Sequence, residues 1–313
     1  MTGAVLPLPR RVAVIGAGVV GASVAAGVAG SGIHVVLFSA EPTGSTPASR
    51  ASFAWVNAHR KSPESYRRLN EYGRRVHADR SAAHERPWFV RTGAEIDGFE
   101  YPDDGYVDTD AFLAAHLSDL QAAGGVLREG TALRSLDEVN DILGPVDQVV
   151  VAAGAGTAGL LGRKGGSRLA TSSGDDGFLA RIDVGANPID RIRSIDGLQM
   201  RPDGPGRIAV QSLGLEAMLR RDGTTASVQT VWSPLRAEIE SVLGWRIPDE
   251  ARVRVDRAIR PHAADGLPVV GRVAEDVYVA LTHSGVTLAP LLAELIARDL
   301  RGDADPRLAP FRP

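Results

Sequence analysis

Residues 11–41 read RVAVIGAGVVGASVAAGVAGSGIHVVLFSAE, and this stretch decides the fold. An apolar, β-branched run from Val12 to Ile15 breaks into Gly16-Ala17-Gly18-Val19-Val20-Gly21 and continues as a small-residue helix. It breaks again at Gly32 and resumes as Val35-Val36-Leu37-Phe38, so the order is strand, tight turn, helix, strand. Gly16 permits the sharp turn, Gly18 lets a pyrophosphate approach bare backbone, and Gly21 lets helix and strand pack closely. Phosphates would rest on the unpaired N–H groups and partial positive charge of the helix N-terminus, Val19 and Val20 included. A lone glycine fingerprint is weak evidence, but this one follows a strand and opens a helix. The reading is a dinucleotide site.

The fingerprint expects an Asp or Glu at the end of the second strand, to accept a hydrogen bond from the adenosine ribose. Ser39 stands there, with Glu41 two residues on. A serine can bond a hydroxyl, more weakly than a carboxylate does. The exchange could instead suit a 2′-phosphate, a reading that wants an arginine nearby, and the nearest downstream is Arg50.

Working outward, 313 residues can bury a large core and hold two interleaved domains. A net charge of -3 gives no reason to expect nucleic acid or an anionic membrane as partner. The absence of cysteine excludes disulfides, thiolate nucleophiles, Fe–S clusters and a cysteine-linked flavin together. No apolar run approaches the roughly 20 residues of a membrane helix, and the first strand begins too early to leave room for a signal peptide. The expected location is the cytoplasm. No metal ligand is assigned.

Further along, SRASFAWVNA (49–58) reads as a loop that tucks aromatics inward. Ser62-Pro63 suits a helix start, with Tyr66, Leu69, Gly73 and Val76 on its inner face. Residues 86–107 read as short strands or loops, and Asp108 or Thr109 opens a helix in which His116 sits on the apolar stripe as a core or boundary histidine rather than a ligand. Val149–Ala153 suits a strand buried on both faces, and Gly154 at its end suits a second close approach of backbone to cofactor. Gly174–Gly177 reads as a turn, Phe178–Val184 and Ile208–Val210 as strands, and Ser233-Pro234 as a helix start. A long strand then leads through Val253 and Val255 to Arg260-Pro261, and a closing helix runs from about Val286 to Leu300.

The blocks VAVIGAGVVGAS (12–23), SRASFAWVNA, VVVAAGAGT (149–157), IRPHAADGLPVVGR (259–272) and VALTHSGVTLAPLLAELIA (279–297) occur in one order along nearly the whole chain. Together they resemble the FAD-dependent oxidoreductases of the D-amino-acid oxidase superfamily, which includes glycine and sarcosine oxidases. The resemblance implies an α/β fold: a discontinuous Rossmann-like FAD-binding domain (1–84, 106–164, 256–313) with an interleaved, shortened, strand-rich α+β substrate domain (85–105, 165–255). Gly16, Gly18 and Gly21 would hold the pyrophosphate, and Ser49, Ala51 and Ser52 would lie near the flavin end. His283-Ser284-Gly285-Val286-Thr287 would put a helix N-terminus at the flavin N1–C2=O edge, where reduced flavin carries negative charge. Arg260 stands where relatives grip a substrate carboxylate, a task suited to a guanidinium fork, although a structural acid could equally hold it. His59 and His262 approach the expected cavity without a motif that fixes a role.

Departures follow too. No lysine succeeds Lys164, so the oxygen-activating lysine of sarcosine oxidase finds no candidate, and no histidine in SRASFAW can carry a flavin, so FAD should be noncovalent. The expected reaction oxidises the C–N bond of an amino acid or other amine by hydride transfer to flavin N5, with O2 or another acceptor. Two other readings stay open: a non-catalytic or partner-dependent FAD-binding subunit of a heteromeric amine oxidase or dehydrogenase, and a nicotinamide-dependent reductase, against which HSGVT argues. A homo- or hetero-oligomer is compatible with either.

Overall fold

The computed structural model describes residues 9–42, 46–170, 175–186 and 188–313. Strand Arg11–Ile15, helix Val19–Gly30 and strand His34–Phe38 form as the sequence predicts. Strand Arg11–Ile15 lies at the middle of a six-stranded sheet in the order 269–272, 277–281, 148–151, 11–15, 34–38, 126–128. All neighbours are parallel except the outermost pair, 269–272 with 277–281. Strands buried on both faces read as unbroken apolar runs, which is why 148–151 and 277–281 carry hardly a polar residue.

One face of this sheet is covered by helices Val19–Gly30, Thr109–Ala122 and Gly285–Leu300, with Glu64–Ala83 packed outside them. The other face packs Val36, Phe38, Val149 and Val279 against Leu161 and Leu169 of the short helices at 157–170. Asp108 caps its helix, its carboxylate accepting from the N–H groups of Asp110 and Ala111. His116 is the core histidine expected, its ring stacked on Phe112 at 3.9 Å between centroids.

A second, seven-stranded sheet runs in the order 253–260, 175–183, 207–212, 198–202, 192–195, 94–96, 99–101. One of its faces is covered by helices Leu213–Arg221 and Val228–Leu243. Its other face, with Leu179, Ile192 and Ala209, turns toward Phe53 and Tyr106 and the first sheet.

Several expected boundaries move. Strand Val253–Arg260 pairs along its whole length with Asp175–Ile182, so a division at 256 would cut a continuous strand of the second sheet. Leu169 packs with the parallel sheet, so that body extends past 164. Asp175–Gly177 belong to a strand rather than a turn, and the remainder of the expected turn lies outside the described residues. The second covering helix starts at Val228, because a reciprocal Ser227–Thr230 capping box satisfies its first N–H groups; Ser233-Pro234 falls inside it.

Candidate functional site

A cavity of about 870 Å³ lies between the two sheets. Its lining takes in Gly16, Gly18, Val19, Val20 and Ser39 from the opening unit, Ser49, Ala51 and Ser52 from the next loop, and Gly154. It also takes in the turn from Thr282 to Thr287, and Arg260. The fold therefore gathers nearly all the residues expected at the site into one space.

The glycines explain the opening. Gly16 has φ +104°, and a Cβ there would lie 2.5 Å from the Ala152 carbonyl oxygen, so a side chain is excluded twice over. Gly21 does not line the cavity. A Cβ on it would come within 1.7 Å of the Gly16 carbonyl oxygen, so it serves helix–strand packing and supports the pyrophosphate position only indirectly. Helix Val19–Gly30 begins at Gly18 with no side-chain cap. Ser49 closes part of that gap, its Oγ accepting from the Val19 N–H at 3.2 Å.

Ser39 is buried, and its hydroxyl donates to the Glu41 carbonyl at 2.5 Å. That bond uses the hydroxyl proton and leaves oxygen lone pairs to accept from a ribose hydroxyl. Gly154 has φ +56° and starts a short turn of helix at the end of strand Gln148–Val151, its backbone facing Pro261.

The N-terminus of the closing helix, Gly285–Leu300, is built differently. Ser284 is its N-cap, but the hydroxyl does not cap. It accepts instead from Lys61 Nζ at 3.1 Å and bonds the Tyr66 hydroxyl at 2.6 Å. Burial lowers the Lys61 amine below the usual lysine value and, as the largest effect, raises the Tyr66 phenol. Thr287 donates to the Trp55 carbonyl at 3.2 Å, and Gly285 approaches the Val20 side chain. His283 is exposed and lines the cavity.

This first turn has an external support. Pro290 has no N–H for the carbonyl four residues back, so the Val286 oxygen loses its helical partner. His77 Nε2 donates to that oxygen at 2.7 Å, while its Nδ1 accepts from Trp88 Nε1 at 3.2 Å. Both ring nitrogens are thereby committed to the neutral form. Burial, the largest cause, holds His77 down to about 4, and the same cause holds His116 at about 4. Gly73, where a Cβ would lie 2.5 Å from the Thr287 carbonyl oxygen, brings helix Glu64–Ala83 close enough for the His77 bond.

The wall between these ends is partly strained. Ala54 (φ +58°) and Arg60 (φ +54°) sit in the left-handed region and line the cavity. Between them, Trp55 Nε1 and His59 Nε2 each donate to the buried Asp104 carboxylate at 2.8 Å. The His59 ring lies 4.9 Å from Trp55 and 4.6 Å from Tyr101, so an acid and two aromatics hold it.

Arg260 reaches the cavity, but its fork already grips the buried Glu216 carboxylate, with N···O distances of 2.8 and 2.5 Å. Glu216 also accepts from the Phe178 N–H at 3.0 Å. A structural acid therefore holds this arginine, as in one of the two readings open for it. His262 Nδ1 bonds the Ala263 carbonyl, and His262 is not among the lining residues.

Three lining residues escaped the sequence reading. Gln199 and Gln211 face each other across adjacent strands of the second sheet and line the cavity; only strand alternation could have marked them. Lys61 had no signal at all, because its partner lies 223 residues away. Among the described residues, no group of three or more His, Cys, Asp or Glu side chains could hold a metal ion, and no helix is long and apolar enough to cross a membrane.

A glycine-turned parallel sheet that shares one cavity with a mostly antiparallel second sheet defines a dinucleotide-dependent oxidoreductase. The chain belongs to the DAO family, FAD dependent oxidoreductase, whose profile matches residues 11–94 and 87–298. Comparison with curated proteins by sequence finds no match. Among solved structures, glycine oxidase from Bacillus cereus ATCC 14579 superposes with a TM-score of 0.77 at 16% identity, covering 96% of this chain and 98% of that one. L-amino acid deaminase from Proteus vulgaris, with its specific insertion sequence deleted, gives 0.77 at 16% identity over 99% and 95%. Iminodiacetate oxidase from Chelativorans sp. BNC1 gives 0.70 at 19% identity, covering 97% of this chain and 99% of that one.

Proposed function

We propose that this enzyme binds FAD noncovalently and oxidises a C–N bond of an amino acid or related small amine. The observation that carries the reading is the single cavity that runs past the Gly16–Gly18 turn and the uncapped N-terminus of helix Gly285–Leu300 and is walled by the second sheet. The residues present fit the cofactor. A Cβ at Gly18 would sit in the cradle, 3.3 Å from Ser49 Oγ, and the first helix offers free N–H groups for a pyrophosphate. Ser39 would accept from the ribose, and Ser49, Ala51, Ser52 and Gly154 would line the path toward the ring. The turn 283–287 would face the ring edge that becomes negative on reduction.

When bound, FAD supplies the two-electron oxidation, accepting hydride from the carbon next to nitrogen. The chain's own residues bind and orient. Gln199 and Gln211 offer amides to the substrate, and Phe53 and Trp55 exclude water. Arg260, closed by Glu216, stiffens the wall without binding substrate. With no cysteine in the sequence, a thioether link to flavin cannot form. The solved relatives named as glycine oxidase, iminodiacetate oxidase and amino acid deaminase support amino carboxylates as the first substrates to try.

The test is the visible spectrum of the purified protein before and after acid precipitation, followed by anaerobic mixing with a panel of amines. Twin flavin bands that leave with the supernatant and bleach with at least one amine are expected. A protein that takes up no FAD, or whose flavin no amine reduces, would overturn the proposal.

A further inference from the structure

An amine must reach the oxidant with a free nitrogen lone pair, yet amino acids and simple amines arrive at neutral pH as ammonium ions, as a lysine side chain would. Something must accept a proton. Of the other candidates on the cavity wall whose partners are defined, the guanidinium groups of Arg60 and Arg260 are held by Asp97 and Glu216, while His59 donates its Nε2–H to Asp104 and is packed against the Trp55 and Tyr101 rings with its Nδ1 buried and unpartnered. Lys61 is bonded only to hydroxyl oxygen, Ser284 Oγ, and forms no ion pair among the described residues.

Its surroundings oppose a positive charge. The amine is withdrawn from water, and its hydrogen-bond partner is the N-cap of a 16-residue helix, where the partial charge is positive. The groups that contact it are Ser284 and Tyr66, with His59, Arg60 and Glu64 close along the chain, Glu64 being bonded to Arg67 and Arg68. The Tyr66 ring lies 5.8 Å from Nζ, and its hydroxyl is hydrogen-bonded to Ser284. A lysine so placed keeps one hydrogen bond to Ser284 and has an Nζ lone pair for the cavity.

We propose that Lys61 Nζ is the base that takes a proton from the substrate ammonium, an inference that rests on the amine-oxidising reading above. One N–H bond of the substrate breaks and one forms on Nζ, and the positive charge passes from substrate to lysine. The substrate nitrogen keeps the electron pair and becomes the neutral amine that oxidation requires. After product leaves, Nζ returns the proton to water in the open cavity.

The chain has two lysines, Lys61 and Lys164, so FAD-loaded protein labelled with 13C at lysine Cε gives two signals, and Lys164→Arg assigns them. The Lys61 signal is expected to titrate well below the ordinary lysine value near 10.4, without any substrate present. An ordinary titration overturns the proposal even if no Lys61 variant folds. The second arm is anaerobic flavin reduction by the best of glycine, L-proline, L-phenylalanine and benzylamine.

Lys61→Met and Lys61→Arg should both slow reduction at pH 7 by about 100-fold or more, with FAD content and melting temperature held, and added methylamine should restore part of the rate to Lys61→Met. Arginine keeps the charge but cannot give up its proton. A Lys61→Arg enzyme at wild-type rate would therefore show that charge alone matters and would overturn the base role while the oxidase reading stands. Failure of all four amines to bleach wild-type flavin would bring down the oxidase reading and the base role with it.

Discussion

Two helices point their N-termini at the same cavity, and they are made in opposite ways. Helix Val19–Gly30 opens on glycines and small residues, and its offer to a ligand is backbone N–H groups. Helix Gly285–Leu300 opens on its own N-cap Ser284, held by a lysine, a tyrosine and, one turn in, a histidine drawn from other elements. The first accommodates an anion by removing side chains, and the second surrounds its terminus with side chains that can be tuned. Pyrophosphate is the same in every dinucleotide, so bare backbone suffices for it. The flavin ring and the substrate need chemistry, and chemistry needs side chains.

The contrast can be broken most sharply at the first helix. Gly21→Ala would force a methyl group into the Gly16 carbonyl, and the expected cost exceeds the roughly 1–3 kcal/mol of ordinary core overpacking. Loss of FAD together with a collapsed melting temperature is expected; a stable, fully loaded variant would show that the helix–strand contact is not what fixes the turn.

At the second helix the expected lever is pH. His77 and His116 are neutral in the fold, with values near 4 against about 6.5 when unfolded, so the unfolded chain binds more protons between those limits. Their contribution is complete above about pH 6.5, drains away as pH falls toward 4, and is flat below, amounting to about 3 kcal/mol for each residue. The measurement is the slope of unfolding free energy against pH near 5, in the wild type and in His77→Gln. The slope should shrink by one proton in the variant, and an unchanged slope would detach His77 from the acid response.

The smallest effect belongs to Ser39. Ser39→Ala removes one ribose acceptor and one bond to the Glu41 carbonyl, worth about 0.5–1.5 kcal/mol, so FAD should bind about 2- to 10-fold more weakly by fluorescence titration. No change would mean that ribose recognition at this end rests on backbone alone.

The same contrast governs what could be read from the sequence. Gly16, Gly18, Gly21 and Ser39 declare themselves within 31 consecutive residues, because turn geometry and strand ends are local properties. The N-cap at Ser284 is equally local and was legible. Lys61 bonds to it across 223 positions and His77 bonds to Val286 across 209, and no spacing rule reaches that far. Arg260 shows the intermediate case. Its position at a strand end was legible, but its occupation by Glu216, 44 residues upstream on a different helix, depends on how that helix lies on the sheet. The helix start expected at Ser233-Pro234 and the turn expected to end at Gly177 fail for the opposite cause, since Pro234 and Gly177, taken as punctuation, sit inside regular elements that tertiary packing completes.

Pro290 carries one last consequence. By depriving Val286 of its helical partner it makes the first turn of the closing helix depend on a side chain from helix Glu64–Ala83. The two segments cannot fray separately, because opening one exposes an unpaired carbonyl or an unpaired ring nitrogen in the other. Hydrogen exchange should see the turn at 284–288 and the helix around His77 as one cooperative unit, so that the loop facing the ring edge inherits the persistence of a twenty-residue helix.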